Sequence, residues 1–426
     1  MAITSSSILA AVSPALGEGI RPVVGLRDVA FARSTIGTAV DMLGVVRTVP
    51  ARTPRFEWVD VDGELRQAAV VERAATNLVP APEGGAASYT FRSGGVTDGG
   101  WTSGGLSGGI RLPRSASTEY AYQVVPLAGS TTYTISVDAE LDDGSVPVVR
   151  SASAGQAASH FTFFCGEVLA GAVRIRRLRG TNVYRFSATV TTASSVARQE
   201  AGFVRYPDQL PGGLRLTTLQ VEAAPAESSR IRTTGARLAD TLSFTGLARK
   251  QPLAWYLDYV ARQPNGAGLG SSVVMQFGAT SPSTAPGRLY VYQHNGLFLT
   301  TTYNDAAGVG NSHSVGVTIQ PGDRVQYAGV LYDTGARRSA VRVGGGTLVQ
   351  GSTAAPAGGV APAWSAPELH FGSATGSSPC SMGLLRMVAV RLGDLSSSPT
   401  NGASIFEELA YTADRLRPDG RLHGEV

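Results

Sequence analysis

The chain has 426 residues, 43% of them hydrophobic and 16% charged, with a formal net charge of +4. This balance excludes a chain that is disordered throughout, because disorder needs few hydrophobic residues and a high net charge. With 52 glycines and few helix formers, the composition favours an all-β protein of two or three domains. The basic residues are scattered except at Arg174, Arg176, Arg177 and Arg179. This cluster is interpreted as a solvated strand edge, so no nucleic-acid partner is predicted.

Residues 1–54 have an irregular composition and are predicted to form an N-terminal arm and lead-in that docks the chain on a larger assembly. The arm carries apolar residues such as Ile8, Leu9 and Val12 without a pattern of its own, and exposed apolar surface of that kind needs a partner. A strand or arm packed on the first sandwich domain is the alternative. No Lys or Arg precedes Ile8, which argues against a signal peptide, and no apolar run reaches the ~20 residues of a membrane helix. We therefore expect a chain that is made and assembled in the cytosol.

The next part of the chain alternates between apolar and polar residues. Residues 133–138 alternate without a break, and residues 183–190 and 214–221 do so with one slip each. The stretches 93–100 and 103–109 are rich in Gly and Ser. Short alternating strands separated by such turns are typical of a β-sandwich, which we place at residues 55–248.

A second series of strands follows, and its boundary with the first series lies near residues 243–250. The Asn295-Gly296 pair predicts a hairpin, because a type I′ turn needs positive φ at both positions. Residues 404–409 have helical spacing with Ser404 as a cap, which predicts one short helix. The strands are predicted at 253–260, 272–277, 288–293, 297–303, 314–319, 324–332, 339–343, 368–371 and 384–392.

These patterns predict an all-β fold with two β-sandwich (jelly-roll) domains at 55–248 and 249–426, an N-terminal arm and one short C-terminal helix. Cys165 and Cys380 fall in different domains, so they are predicted to be free buried thiols rather than a disulfide.

Most catalytic signatures are missing from the sequence. The five histidines have no paired spacing and neither cysteine belongs to a CxxC motif, so no zinc site is predicted. Nucleotide-binding glycine motifs are also lacking. Residues 105–109 match GxSxG, but they lie within a Gly-Ser turn run rather than between a strand and a helix, which a nucleophile elbow requires.

Carboxylates that are close in sequence could form two further kinds of site, a glycosidase pair or a calcium site. The pair Asp138 and Glu140 and the pair Asp60 and Asp62 each have the spacing of a glycosidase carboxylate pair. Nothing distinguishes these pairs from ordinary strand residues. Asp142 or Asp143 near Glu140, or the Asn-Asp turn at 304–305, offers oxygen ligands for calcium, but turn residues explain them more simply. We predict no enzyme activity, no metal and no cofactor.

Sugar binding requires aromatic faces for stacking and polar groups for the hydroxyls. The second sandwich carries suitable residues, although each of them is also a normal core or sheet-covering residue. The carbohydrate-binding residues are predicted to be Tyr303, Asn304, Asp305 and Trp364, with the region of Trp101 as the alternative. The wider candidate set also includes Tyr290, Tyr292 and His294.

Five stretches resemble, in order, motifs of tailed-phage virion proteins. They are FARSTIGTAVDMLG (31–44), PRF (54–56), GELRQAAVVERAATNL (63–78), TLQVEA (218–223) and TTGARLAD (233–240). In that family the patterns run R-x-S-T-A-T-y-V-D-x-x-G, P-R-F, G-L-L-V-E-x-x-R-T-N-L and Q-L-E-x-G, with a closing R-A-A-D. Ala75 stands where the family has Arg, and Ile36-Gly37 departs from its A-T. The matched positions look structural, since Asn77 and Asp240 lie at predicted strand ends.

The stretch from 31 to 240 is thus similar to head-spike and tail-fibre carbohydrate-binding modules of phages and gene transfer agents. The resemblance implies a galactose-binding-like jelly roll at 55–248. Residues 249–426 resemble, more weakly, a concanavalin-like (laminin G-type) sandwich.

The resemblance implies a virion-attached adhesin that is assembled in the bacterial host cytoplasm and binds host surface polysaccharide. Its expected partners are other virion proteins and, in a homotrimer, two further copies of this chain. No nucleic-acid binding and no membrane insertion are expected. The alternatives are a purely structural baseplate or head-decoration subunit and, less favoured, a polysaccharide depolymerase.

Overall fold

A computed structural model of the chain provides the fold. It describes residues 8–15, 19–24, 27–61, 63–91, 96–101, 104–113, 118–149, 158–169, 172–232, 235–246, 253–265, 271–278, 288–303, 310–332, 337–351, 368–371, 380–391 and 402–415.

Nearly all regular structure is β. The first strands are β1 (Ile8–Ala15), β2 (Gly19–Val24), β3 (Arg27–Ala32), β4 (Gly37–Val40), β5 (Val46–Val49), β6 (Arg55–Val61), β7 (Glu64–Val71) and β8 (Ala75–Asn77). A 3₁₀ turn (Ala86–Ser88) precedes β9 (Thr90–Phe91), β10 (Thr97–Asp98), β11 (Ile110–Leu112), β12 (Glu119–Val124), β13 (Thr132–Leu141), β14 (Thr162–Cys165), β15 (Val168–Leu169), β16 (Val173–Arg177), β17 (Tyr184–Thr191), β18 (Glu200–Arg205), β19 (Leu214–Glu222) and β20 (Gly235–Arg237). The last elements are β21 (Thr241–Thr245), β22 (Leu253–Ala261), β23 (Ser271–Phe277), β24 (Arg288–His294), β25 (Leu297–Tyr303), β26 (Gly310–Gly316), β27 (Arg324–Leu331), β28 (Arg337–Val343), β29 (Val349–Gln350), β30 (Glu368–Phe371), β31 (Met382–Arg391) and the helix α1 (Gly402–Arg415).

The chain divides into two compact units, and both are discontinuous in sequence. Unit 1 comprises Met1–Ser34, Arg52–Arg73 and Ala239–Val426, and unit 2 comprises Thr35–Ala51 and Ala74–Leu238. This division differs from the predicted boundaries after residues 54 and 248. The all-β class and the short C-terminal helix are confirmed.

Strands β1, β2 and β3, which lie within the predicted N-terminal arm, belong to unit 1, and docking by that arm stays a prediction. Strand β1 lies between β2 and β31, and β3 pairs with β21. Local periodicity does not reveal the pairing of β1 with β31 or of β3 with β21, because these partners lie hundreds of residues away in sequence. Strands β4 and β5 of the same stretch form a hairpin in unit 2.

Unit 1 is a sandwich of two large sheets. One has nine strands, in the order β2-β1-β31-β22-β27-β28-β29, with β7 also pairing β31 and β6 pairing β7. The other has seven, in the order β26-β25-β24-β23-β30-β21-β3. Side chains of both sheets fill one core, in which the Trp255 ring lies 5.8 Å from Phe277 and the Phe298 ring stacks 4.3 Å from Tyr327.

Helix α1 covers the outer face of the nine-stranded sheet. Ile405, Phe406 and Leu409 recur on one helical face and pack on Ala254 and Tyr256 of β22. Strand β22 therefore carries apolar residues on both faces because one faces the core and the other faces α1. Both apolar faces of β22 are thus buried within the chain. No helix among the described residues is long and apolar enough to cross a membrane.

Unit 2 is a second sandwich. Its six-stranded sheet runs β10-β11-β19-β13-β17-β16, and its five-stranded sheet runs β15-β14-β18-β12-β9. Alternate residues of β13, such as Tyr133, Ile135 and Val137, enter the core between the sheets. Cys165 lies buried in this core and Cys380 in that of unit 1, and both are free thiols as predicted.

Four residues of the motifs at 31–44, 54–56, 63–78 and 233–240 meet in a buried ionic network in unit 1. The Arg55 guanidinium donates to Glu72 at 2.7 Å and also to Asp240, which accepts a further bond from Arg33 at 3.2 Å. Arg262 donates to the other oxygen of Glu72 at 3.0 Å. The side chains of Arg33, Arg55, Glu72 and Asp240 are fully buried. Removing one partner from such a network leaves an uncompensated buried charge, which is strongly destabilising.

Two further motif residues have structural roles in unit 2. Asn77 ends β8, donates to the carbonyls of Leu219 and Ile231 and accepts from the N–H groups of Val79 and Val221, so all its bonding capacity is used. In the other motif, Gly44 has φ +79°, and an added Cβ would lie 1.8 Å from the carbonyl oxygen of Arg179. These matched positions are structural, as the sequence predicts.

Candidate functional site

The predicted carbohydrate-binding residues lie mostly outside the described part of the chain. Tyr303 ends β25, as predicted, and lies opposite Arg288 in the register with β24. Asn304, Asp305 and Trp364 lie outside the described residues. The assignment of these four residues therefore stays a prediction. Trp101, the alternative, is only 6% exposed and packs in a hydrophobic cluster with Val46 and Leu178. Its ring therefore fills the interior and does not offer a surface on which a sugar could stack.

The outer face of the seven-stranded sheet collects polar and aromatic side chains. Along β24, Leu289 and Val291 enter the core. Since successive side chains of a strand point to opposite faces, Arg288, Tyr290, Tyr292 and His294 lie on the outer face. The pairing of the strands continues this face from Tyr290 across the sheet, through Gln276, His370 and Ser243.

A buried polar pair holds one of the tyrosines in place. The Arg288 guanidinium donates to Gln276 Oε1 at 2.8 Å and lies 4.2 Å from the centroid of the Tyr290 ring. Arg288 and Gln276 are fully buried, and Tyr290 is 7% exposed. A stacked, hydrogen-bonded guanidinium fixes the orientation of that ring. Arg288, Gln276 and Tyr290 therefore form a support for the more exposed residues beside them.

An imidazole and a carboxylate lie next to this support. His370 Nε2 is 3.0 Å from Glu368 Oε2. Burial lowers the pKa of His370, while the contact with Glu368 raises it, and the net shift is downward. A neutral imidazole next to a half-buried carboxylate offers a hydrogen-bond donor and acceptors to a polar ligand.

The partly exposed rings of β24 are Tyr292 and His294. His294 Nδ1 lies 3.1 Å from Ser271 Oγ, and its Nε2 lies 3.0 Å from Asn295 Nδ2. Asn295 and Gly296 have φ of 45° and 76°, which confirms the predicted type I′ hairpin that fixes this end of β24. A ring and an imidazole two residues apart on one face, bordered by hydroxyl and amide groups, match what a sugar needs for stacking and hydrogen bonds.

The carboxylate pair predicted on β13 has a structural role in unit 2. Asp138 is fully buried, and Arg185 and Arg230 donate to it at 3.1 and 2.5 Å. Burial alone would raise the pKa of Asp138, but the two guanidiniums hold it below its ordinary value. Burial raises the pKa of its predicted partner Glu140, whose nearest cation is Arg215 at 3.8 Å. An aspartate clamped by two arginines is unsuited to proton transfer.

The chain itself covers the outer face of the six-stranded sheet in unit 2. Thr134 donates to the carbonyl of Ala224, Thr189 to that of Pro225, and Ser228 to the buried Glu222. Together with Arg230, these contacts fasten the segment 223–230 over the sheet. At strands β13, β17 and β19 this face is therefore covered by the chain itself.

The remaining sequence candidates also have structural explanations. Ser107 of the GxSxG match lies in irregular backbone and hydrogen-bonds to Glu83 and Arg232, and no helix follows it directly. Strand β16 is an exposed edge strand, which confirms the interpretation of the arginine cluster. Asp142 pairs with Arg111, and among the described residues no group of three His, Cys, Asp or Glu side chains is placed to hold a metal.

Sequence reasoning placed Tyr290 and Tyr292 on one strand face, which is confirmed, but it missed Arg288, Gln276 and His370. A signal was present, since each of these polar residues interrupts an apolar strand at an alternate position. The pairing of β23 with β30 brings Gln276 and His370 together, and sequence patterns do not specify that pairing.

The chain is thus an all-β protein with two sandwich units, and it was compared with known proteins of three kinds. No family model matches the chain, and no curated protein matches it. Solved structures similar to it include the CBM40 carbohydrate-binding module of the Ruminococcus gnavus IT-sialidase bound to α2,3-sialyllactose, at 12% identity and TM-score 0.28, covering 36% of this chain and 81% of that one. The tandem CBM22 modules of Paenibacillus barcinonensis Xyn10C match at 8% identity and TM-score 0.24, covering 76% of this chain and 98% of theirs. TM-scores this low carry no argument about function.

Proposed function

We propose that the chain is a glycan-binding protein whose binding surface is the outer face of the seven-stranded sheet in unit 1. One observation carries the proposal: the partly exposed Tyr292 and His294 alternate on β24 beside the fixed group of Arg288, Gln276 and Tyr290. A sugar ring needs a flat apolar face and a few hydrogen-bonding groups held in place, and this face offers both.

The predicted residues Tyr303, Asn304, Asp305 and Trp364 belong to the same proposed surface. The backbone position of Tyr303, opposite Arg288 of β24, supports its inclusion. We assign the 304–305 turn and Trp364 to the rim of the surface, on the sequence argument alone.

We further propose that the protein is a spike or fibre adhesin of a tailed phage or phage-like particle, as the motifs at 31–44, 54–56, 63–78, 218–223 and 233–240 imply. Host surface polysaccharide is then its ligand, and other virion proteins are its partners. Weak sugar sites gain avidity when many copies sit on one particle.

The test is binding of host capsular polysaccharide, measured by calorimetry, for wild type and for Tyr292→Ala, Tyr303→Ala and Trp364→Ala. We expect each variant to bind about tenfold more weakly, which corresponds to ~1.4 kcal/mol. Tyr411→Ala is the matched control, because Tyr411 is a 61% exposed tyrosine on α1, remote in sequence from this sheet. If the three variants fold and bind as well as the control, the assigned surface is wrong.

Related binding and incubation experiments distinguish the alternative functions. A purely structural virion subunit would leave host cells and glycan arrays unbound, and a depolymerase would shorten the polysaccharide during incubation. Electron microscopy of labelled particles would locate the chain at a spike, a fibre or the shell.

A further inference from the structure

A row of small residues crosses three neighbouring strands on the inner side of the nine-stranded sheet. Gly329 of β27 pairs with Ser339 of β28, and the N–H of Gly351, next to β29, donates to the Ser339 carbonyl at 2.9 Å. Val341, two residues after Ser339, lies in the core of unit 1. The Ser339 hydroxyl therefore points into the same core, with a glycine on each side.

An aromatic ring covers each of these glycines. A Cβ added at Gly329 would lie 2.9 Å from Trp255 Nε1, and one added at Gly351 would lie 2.3 Å from His313 Nε2. The indole and the imidazole thus occupy the space that side chains would fill at the two glycines. Since neighbouring strands are ~4.8 Å apart, the two glycines and the rings that cover them flank the Ser339 side chain.

These three polar groups have no hydrogen-bond partner among the described residues. They are Trp255 Nε1, Ser339 Oγ and His313 Nε2, in side chains that are 0%, 3% and 3% exposed. Buried polar atoms are nearly always paired, and each exception calls for an explanation. The serine hydroxyl with one such nitrogen on each side indicates a shared ligand.

The charge of the surroundings indicates the kind of ligand. Arg337 lies two residues before Ser339 on the same face of β28 and is 1% exposed. Burial and, after it, the charge of Arg337 lower the pKa of His313, so its imidazole is neutral, and in the tautomer protonated at Nε2 it is a donor. The indole N–H, the hydroxyl and the imidazole N–H are then three donors beside a buried cation. In that tautomer the serine oxygen is the one acceptor within this group, so a water molecule would leave one of its two hydrogens unsatisfied.

We propose that Trp255, Ser339, His313 and Arg337 form a binding site for a small monovalent anion, of the size of chloride or bromide, inside unit 1. The site stands apart from the proposed glycan surface, because it lies between the two sheets and not on the outer face. An anion there accepts from the three donors in the positive field of Arg337.

Bromide is the probe that tests this site. The full-length protein is transferred into sodium gluconate and titrated with sodium bromide at constant ionic strength while the unfolding temperature is followed. We expect a saturable rise, and crystals grown in bromide should give an anomalous peak in contact with Trp255 Nε1, Ser339 Oγ and His313 Nε2. A shift without saturation, or the lack of an anomalous peak at saturating bromide, overturns the proposal.

Variants separate a loss of the ion from a general loss of stability. Ser339→Ala and Trp255→Phe each remove one donor while keeping most of the packing, and both should raise the bromide midpoint at least tenfold. Ser187→Ala, at a buried serine of unit 2, is the control and should leave the midpoint unchanged whatever it does to stability. Equal midpoints in Ser339→Ala, Trp255→Phe and the control contradict the proposal.

Discussion

Arg55 donates to two carboxylates, those of Glu72 and Asp240, and none of the three side chains reaches solvent. The sequence shows these residues only as separate motif positions, 17 and 185 residues from Arg55. Neither spacing nor composition indicates that they meet, because the sheets of unit 1 bring them together. The motif thus marks a structural network and not a binding site.

The network predicts a large effect of neutralising one member. Asp240→Asn should lower the free energy of unfolding by about 3–5 kcal/mol, because Arg33 and Arg55 lose their shared counter-charge in the interior. Glu407→Gln removes an exposed ion pair with Arg342 and should cost less than about 1 kcal/mol. Urea unfolding of both variants measures the difference, and similar costs for the two would contradict this account.

His160 in unit 2 makes stability depend on pH. Its Nδ1 accepts the N–H of Val148 at 2.9 Å, and burial is the largest of the causes that lower its pKa. Near pH 6.5 the folded state therefore binds fewer protons than the unfolded state, so the free energy of unfolding rises with pH and falls on acidification below about 6.5.

We expect wild type to lose stability between pH 7.5 and 5.5 in urea unfolding, and His160→Gln to lose less over the same range. The difference between the two proteins isolates His160, because the other titrating groups are common to both. Equal losses would mean that His160 does not contribute.

At the scale of elements, alternation predicted most strands of the C-terminal half. Strands 297–303 and 368–371 have the predicted bounds, since turn residues or proline flank them and the second alternates cleanly between polar and apolar residues. The strand predicted at 314–319 instead spans Gly310–Gly316, where Gly, Asn, Ser and His hide the pattern. The pairing of β1 with β31 and of β3 with β21 was not predicted, because pairing with distant partners leaves no local signature. The same limit applies to the candidate site, in which the alternation along β24 was predictable and its polar neighbours on β23 and β30 were not.

Gly44, in the β4–β5 hairpin, and Gly63, between β6 and β7, should differ in how much an alanine substitution lowers the free energy of unfolding. Gly44 and Gly63 have similar φ, +79° and +84°, but an added Cβ meets a carbonyl oxygen only at Gly44. Ala at either position should cost about 1 kcal/mol for the left-handed backbone. Gly44→Ala should cost a further ~1–3 kcal/mol for the forced contact with Arg179.

Thermal or urea unfolding compares Gly44→Ala with Gly63→Ala directly. Equal destabilisation would show that the turn moves away from Arg179 without strain.

For the whole molecule, we predict a homotrimer, the state usual for the phage spikes and fibres that the motifs resemble. The apolar outer face of β22 is not evidence for a trimer, because helix α1 of the same chain covers it. Light scattering at micromolar concentration should give three times the chain mass of 44.1 kDa. A mass of one chain, unchanged on concentration, would contradict the trimer.

Because β1 pairs with β31, the nine-stranded sheet of unit 1 cannot be completed until the C-terminal part of the chain has been synthesised. Ala15 and Met382 are 382 − 15 = 367 residues apart, so at 5–20 residues per second the ribosome needs about 20–70 s to supply the partner strand. Unit 2 is complete once residue 238 has emerged and can fold during that delay. The first strands of unit 1 meanwhile wait with unsatisfied backbone groups on the nascent chain. Slow translation or chaperone shortage should therefore harm unit 1 before unit 2.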